Sequence, residues 1–182
     1  MRVLVAEDEP NIAKLHKISF EESGHDVWVT HDGVECIETF KQEFEKKKKE
    51  VLREAQTFSL PEKAPFDVVI LDYRMPRKDG MEVAREILNL APQQRIIFVS
   101  AYVADTLQEA VKTLNKAVEL VQKPYDMDEL LSLAEDKAIW MELEKMNVNI
   151  PALRAMPLDH STVLQLLDGL KKLQKGKGFS IS

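Results

Sequence analysis

Cysteine occurs once in this 182-residue sequence, at Cys36. A lone thiol excludes an internal disulfide framework and suits a reducing compartment. No histidine is placed to activate it, so Cys36 is read as a small buried hydrophobe. Long apolar runs are missing too. None approaches the roughly 18 residues needed to span a bilayer. The apolar start, Val3 to Ala6, turns acidic at once, short of the roughly 7–15 residues of a secretory signal core. These absences predict a cytoplasmic protein with no membrane segment. Positive charge is also scarce, with 25 Lys and Arg against 31 Asp and Glu and a net charge of −6. That balance argues against a general nucleic-acid binder, which needs a positive contact face. Glycine is absent from "AEDEPNIA" after the first apolar run, which excludes a G-x-G-x-x-G dinucleotide turn. The four histidines, His16, His25, His31 and His160, lack metal-like spacing and are read as structural or surface residues.

What is present is an alternation. Arg2–Ala6, Asp26–His31, Phe66–Leu71, Arg95–Ser100 and Ala117–Gln122 are short and rich in Val, Ile and Phe. "VVIL" and "IIFV" are apolar on both faces, as strands covered from both sides must be. Between them lie helical stretches. Asn11–Ser23 places Ile12, Leu15 and Ile18 on one face and stops at Gly24. Gly33–Phe44, Met81–Leu90 and Asp105–Asn115 show similar spacing. The pattern predicts an α/β fold, a doubly wound five-stranded parallel sheet with helices on both faces.

Two segments exceed that plan. Val34, Ile37, Phe44, Val51 and Ala55 keep one helical stripe, which extends the second helix to about Thr57 before a loop through Pro61 and Pro65. The insertion 41–63 carries seven basic and five acidic residues, so its lysine run 46–49 reads as a solvated face. At the other end, a helix from about Asp128 runs on through "AIWMELEKM". Pro151 and Pro157 bracket a linker, and "DHSTVLQLLDGLKKLQKGKG" gives a further amphipathic helix with Leu164, Leu167, Leu170 and Leu173. From Glu129 to Ser182 seven basic residues balance seven acidic ones, and no helix there has the composition of a DNA-recognition helix.

In a parallel sheet functional groups gather at the carboxyl ends of the strands. Here the first strand ends in Glu7 and Asp8, the third in Asp72, the fourth in Ser100 and the fifth in Lys123-Pro124. Three carboxylates on one rim repel unless a cation sits among them. A hard ion such as Mg²⁺ suits an all-oxygen set. With a metal and Lys123 to neutralise it, a phosphoryl group could be attacked by Asp72 to give an acyl phosphate, with Ser100 donating to a phosphoryl oxygen.

"VLVAEDEP", "VVILDYRMPRKDG", "VSAY" and "VQKP", in that order, resemble the motifs of response-regulator receiver domains of two-component signalling. The resemblance spans about residues 1–137, including the insertion, and leaves 138–182 as a helical extension. It implies a flavodoxin-like receiver fold in which Asp72 accepts a phosphoryl group from a histidine kinase or phosphotransfer protein. It further implies that Asp8 ligates Mg²⁺ directly and Glu7 through water, that Asp72 and the backbone carbonyl of Arg74 join them, and that Ser100 and Lys123 bind the phosphoryl group. The bond matching Lys123–Pro124 is usually cis in that family, and Gly80 lets the chain turn. A phosphoacceptor of this kind catalyses its own phosphotransfer and is not a turnover enzyme. Arg74 and Tyr102 occupy positions that tune the lifetime of the acyl phosphate, here toward slow self-dephosphorylation. Glu7 stands where Asp is usual, and Leu120 where many relatives carry a switching aromatic. The extra helices are expected to pack on the domain or to pair with a second copy. The alternatives are a transcriptional regulator with a small DNA-binding tail and a receiver fold used as an unphosphorylated docking module. A haloacid-dehalogenase enzyme would need a second Asp where Arg74 stands.

Overall fold

The computed structural model describes residues 1–54, 64–101, 114, 118–154, 156, 158 and 160–176. The expected helix Asp105–Asn115, the extension to Thr57, the loop at Pro61, Tyr102, Pro157 and the last six residues fall outside them. Five strands, β1 (Arg2–Ala6), β2 (Asp26–Thr30), β3 (Val68–Asp72), β4 (Ile96–Ser100) and β5 (Val118–Gln122), form one all-parallel sheet in the order β2-β1-β3-β4-β5. The apolar runs "VVIL" and "IIFV" are the centre of this sheet, and β3 and β4 are buried at every position. The edge strands β2 and β5 are only half-buried through most of their length. Period-two alternation then fixes the register, because a one-residue slip would exchange the two faces.

Helices α2 (Gly33–Glu54) and α3 (Gly80–Leu90) cover one face. Leu4, Ala6, Val69, Leu71, Ile96 and Phe98 from the sheet meet Cys36, Phe40, Val83 and Ile87 in a single core. Burial pushes the Cys36 thiol up to about 12, so the lone cysteine is the inert hydrophobe its context predicts. Alternation sends Val3, Val5, Val68 and Ile70 to the other face, also buried. There α1 (Pro10–Glu22) lies on β1 and β2.

The inward face of α1 corrects the sequence reading. Its buried residues are Ala13, His16 and Phe20, whereas Leu15 and Ile18 stay 50% and 42% exposed. The inward stripe is one small, one polar and one aromatic residue, and Ile12 at its edge is half-buried.

Helix α2 starts at an Asp32 cap, whose Oδ1 accepts from Val34 N at 2.8 Å and Glu35 N at 2.9 Å. Twenty-two residues give it a length of about 33 Å. Its far half is tied back to the amino ends of the strands. Arg2 donates to Glu43 at 2.5 Å and to Pro65 O at 2.8 Å, and Lys47 donates to Ala64 O at 2.6 Å. One lysine of the run 46–49 is thus a structural clasp, where sequence alone suggested solvent.

The chain divides into two compact units, Met1–Leu131 and Ser132–Ser182. The boundary falls within helix α4 (Met127–Ala134), and α5 (Lys137–Lys145) begins after a break. A continuous helix was expected. Asp136 instead adopts the left-handed conformation, φ 57°, and its carboxylate bonds His160 Nδ1 at 2.8 Å. The residues around Pro151 form a short helix, α6 (Ile150–Arg154), where a linker was expected. Pro151 sits in its first turn, where a missing N–H costs nothing, and Asn149 caps Ala152 N at 3.1 Å. Leu143, Val163 and Leu167 are the buried centre of the second unit, with Trp140, Met146 and Leu170 packed around them. Val163 takes the inward place on α7 (His160–Gly176), and Leu164 and Leu173 are exposed. No helix among the described residues is long and apolar enough to cross a membrane.

Candidate functional site

The carboxyl rim of the sheet collects the predicted residues because each sits at or just past the end of a strand. Glu7 prolongs β1, its N–H donating to Thr30 O at 3.1 Å. Asp72 is the last residue of β3, and Tyr73 N continues the ladder to Val99 O at 3.1 Å. Lys123 N donates to Ser100 O at 2.7 Å, so the end of β4 locates the residue after β5. The Lys123–Pro124 bond is cis.

Glu7, Asp8 and Asp72 each offer a carboxylate oxygen, all within 4.8 Å of one another. Lys123 Nζ bridges two of them, donating to Asp72 Oδ2 at 2.6 Å and Glu7 Oε2 at 2.8 Å. Asp72 Oδ1 accepts from Arg74 N at 3.1 Å. The Arg74 carbonyl, expected as a ligand, belongs to that same turn. Ser100 lies buried at the end of β4. The structure thus assembles Glu7, Asp8, Asp72 and Lys123, with Ser100 and Arg74 attached through the backbone.

Burial drives the Glu7 carboxyl up to about 7, and the neighbouring Asp72 charge adds to this against the opposing pull of Lys123. For Lys123, burial works against the charge, but its bonds to Asp72 and Glu7 outweigh it and hold the ammonium above its usual range. One ammonium thus faces three carboxylates. The leftover negative charge and the all-oxygen donor set fit a hard divalent cation.

Gly80 is required for a reason other than the turn expected of it. It opens α3, and a Cβ there would stand 2.4 Å from the Asp72 carbonyl oxygen and 3.1 Å from Phe98. Only a residue without a side chain lets α3 pass so close to the back of Asp72. Asp79 caps that helix with a reciprocal capping box with Glu82. Arg77, at φ 67°, ion-pairs with Asp32 and ties the β3–α3 turn to the start of α2.

One pair beside the site escaped the sequence reading. His16 Nε2 and the Tyr125 hydroxyl are 2.5 Å apart, with the rings stacked at 5.9 Å between centroids. Burial, reinforced by Lys123, pulls His16 down to about 4. Burial and the charges of Glu7 and Asp72 push the Tyr125 phenol up. A usable signal was in the sequence: a lone polar ring in the α1 stripe Ala13, His16, Phe20, and a tyrosine directly after "KP".

A strand-end aspartate in an acidic cluster, a lysine reaching it from the fifth strand and this strand order define a receiver fold. The sequence model of the response regulator receiver domain matches residues 45–135, half of the chain. The protein belongs to that family. The matched stretch contains Asp72, Ser100 and Lys123, whereas Glu7 and Asp8 precede it.

Among curated proteins, the chain is similar to the transcriptional regulatory protein TrcR of Mycobacterium tuberculosis, 29% identical over 133 residues, 72% of this chain and 43% of that protein. It is likewise similar to the response regulator MprA of Mycobacterium avium, 28% identical, covering 72% and 48%. The chain therefore spans about half the length of these relatives. Among solved structures, the response regulator TrrA from Thermotoga maritima, in complex with Mg²⁺ and BeF, matches with TM-score 0.52 and 29% identity. That match covers 74% of this chain and 96% of that one.

Proposed function

We propose that this protein is the phosphoacceptor of a two-component phosphorelay, with Asp72 as the accepting residue. The observation that carries the reading is Lys123 Nζ at 2.6 Å from Asp72 Oδ2 beside two further carboxylates. An Asp72 oxygen attacks phosphorus as the P–N bond to a histidine of a kinase or phosphotransfer protein breaks. The imidazole leaves with the electron pair and takes a proton from solvent, and an acyl phosphate remains. Glu7, Asp8, Asp72 and the Arg74 carbonyl are the residues that would hold Mg²⁺. When bound, that ion supplies positive charge to offset the phosphoryl oxygens. Lys123 shifts from the carboxylate to a phosphoryl oxygen, and Ser100 donates a hydrogen bond to another. The added charge, about −2, biases the adjoining loops, and partner binding or assembly changes in consequence. The reaction is a single self-catalysed transfer followed by slow hydrolysis, carried out in the cytoplasm, and not enzyme turnover.

The names of the curated relatives favour a second reading, a transcriptional regulator. Against it stands the stretch from Glu129 to Ser182, whose seven basic and seven acidic residues balance. Binding to random duplex DNA at low salt separates the two, since even unspecific affinity would show there.

The direct test is intact-mass spectrometry after incubation with acetyl phosphate and Mg²⁺. Wild type should gain one phosphoryl group, and Asp72→Asn or metal chelation should abolish the gain. An unmodified wild type would leave only a docking module. Arg74 at the second position after Asp72 goes with a long-lived adduct, and decay within seconds would remove that part of the reading.

A further inference from the structure

His16 stands in the middle of the buried stripe of α1, between Ala13 and Phe20, and is itself fully buried. Its Nδ1 has no hydrogen-bond partner among the described residues. A leucine or phenylalanine would fill that place without stranding a polar atom in the core. The one polar contact the ring makes among the described residues is Nε2 to the Tyr125 hydroxyl, at 2.5 Å. Tyr125 lies two residues beyond Lys123, on the loop leaving β5. That loop is otherwise fastened at its start by Lys123 N to Ser100 O, 2.7 Å. The Lys123 side chain must then reach back from it to Asp72 and Glu7.

We propose that His16 is a positioning residue for the phosphoacceptor site. Through its bond to Tyr125 it pins the β5–α4 loop to α1 and so fixes where Lys123 presents its ammonium. The pair adjoins the site closely enough that the charges of Lys123 and Asp72 act on His16, and those of Glu7 and Asp72 on Tyr125. Pinned at both ends, the loop holds Lys123 between two carboxylates before any donor arrives. Released at Tyr125, it lets the ammonium sample other directions, and Asp72 loses a preplaced counter-charge. The consequence for phosphorylation rests on the function proposed above; the placement of Lys123 does not.

Lysine reactivity separates the two. Full-length protein is labelled at low dose with acetic anhydride, and acetylation of Lys123 and of the surface reference Lys41 is followed by peptide mass spectrometry. His16→Phe and Tyr125→Phe should each speed labelling of Lys123 by about fivefold, the factor corresponding to one hydrogen bond, with Lys41 unchanged. The double variant should do no more than either single one, because both remove the same bond. His16→Gln, whose amide can reach the phenol, should stay near wild type, whereas a role in packing alone would make Phe the better replacement. Unchanged Lys123 labelling in both single variants, additive effects, or His16→Gln behaving worse than His16→Phe would overturn the proposal. Tyr125→Phe removes one oxygen and decides the matter should His16→Phe fail to fold. Acetyl phosphate is then given to the same set. A wild type that takes up no phosphoryl group would overturn the phosphoacceptor reading, while the labelling still decides the role of His16.

Discussion

The two rims of the sheet treat charge in opposite ways. At the amino rim every buried charge in the described structure is matched. Arg95, 4% exposed, grips Glu119 with two nitrogens at 3.1 Å each. Arg2 meets Glu43 and Pro65 O and lies over Trp28 and Phe66, 4.6 and 5.3 Å from their centroids. At the carboxyl rim three carboxylates cluster and the one ammonium beside them bridges two, Glu7 and Asp72. Balanced charge closes a structure; unbalanced negative charge favours a cation. This contrast separates the carboxyl rim from the amino rim more sharply than burial does, since both contain buried ionic residues.

The strongest way to break the contrast is at the closed rim. Arg95→Met takes from the half-buried Glu119 the guanidinium that grips it, and should cost about 3–5 kcal/mol in urea unfolding. Replacing both partners with apolar residues should recover most of that loss. Added Mg²⁺ should do nothing for either variant.

Acid offers the next largest effect. His16 is held at about 4 by burial and by Lys123, against about 6.5 in an unfolded chain. Between those values the unfolded state binds the extra proton, so the folded state loses stability as pH falls through 6.5 toward 4. From pH 7 to pH 5 this amounts to about 2 kcal/mol. Unfolding curves at the two pH values should lose that part of their difference in His16→Phe. A slope that persists there would place the acid sensitivity elsewhere.

At the open rim, Lys123→Met should cost less, about 1 kcal/mol at pH 7. The site is partly open to water, and Glu7, already raised to about 7, can take up a proton in place of its lost partner. Mg²⁺ should restore the stability of this variant, in contrast to Arg95→Met. A Lys123→Met protein as unstable as Arg95→Met, and indifferent to Mg²⁺, would make the two rims alike.

The smallest effect concerns what the sequence could and could not disclose. Strand ends were legible because buried parallel strands are continuous apolar runs, so "VVIL" before Asp72 and "IIFV" before Ser100 mark their own limits. Much of the site was legible for the same reason, since Glu7, Asp72 and Ser100 are each the first polar group after such a run. Helix faces were harder. In α1 hydrophobicity favoured Ile12, Leu15 and Ile18, yet the sheet takes Ala13, His16 and Phe20. A contact built from one small, one polar and one aromatic residue has little hydrophobic periodicity to read. Nor does the break at Asp136 have a local signal, because its partner His160 lies 24 residues away. Leu15→Ser should therefore change stability by no more than about 0.5 kcal/mol, as for an exposed site. Phe20→Ala should cost about 3–5 kcal/mol. Equal losses at the two positions would return Leu15 to the core and remove His16 from it. The buried pairing of His16 with Tyr125 depends on that same face.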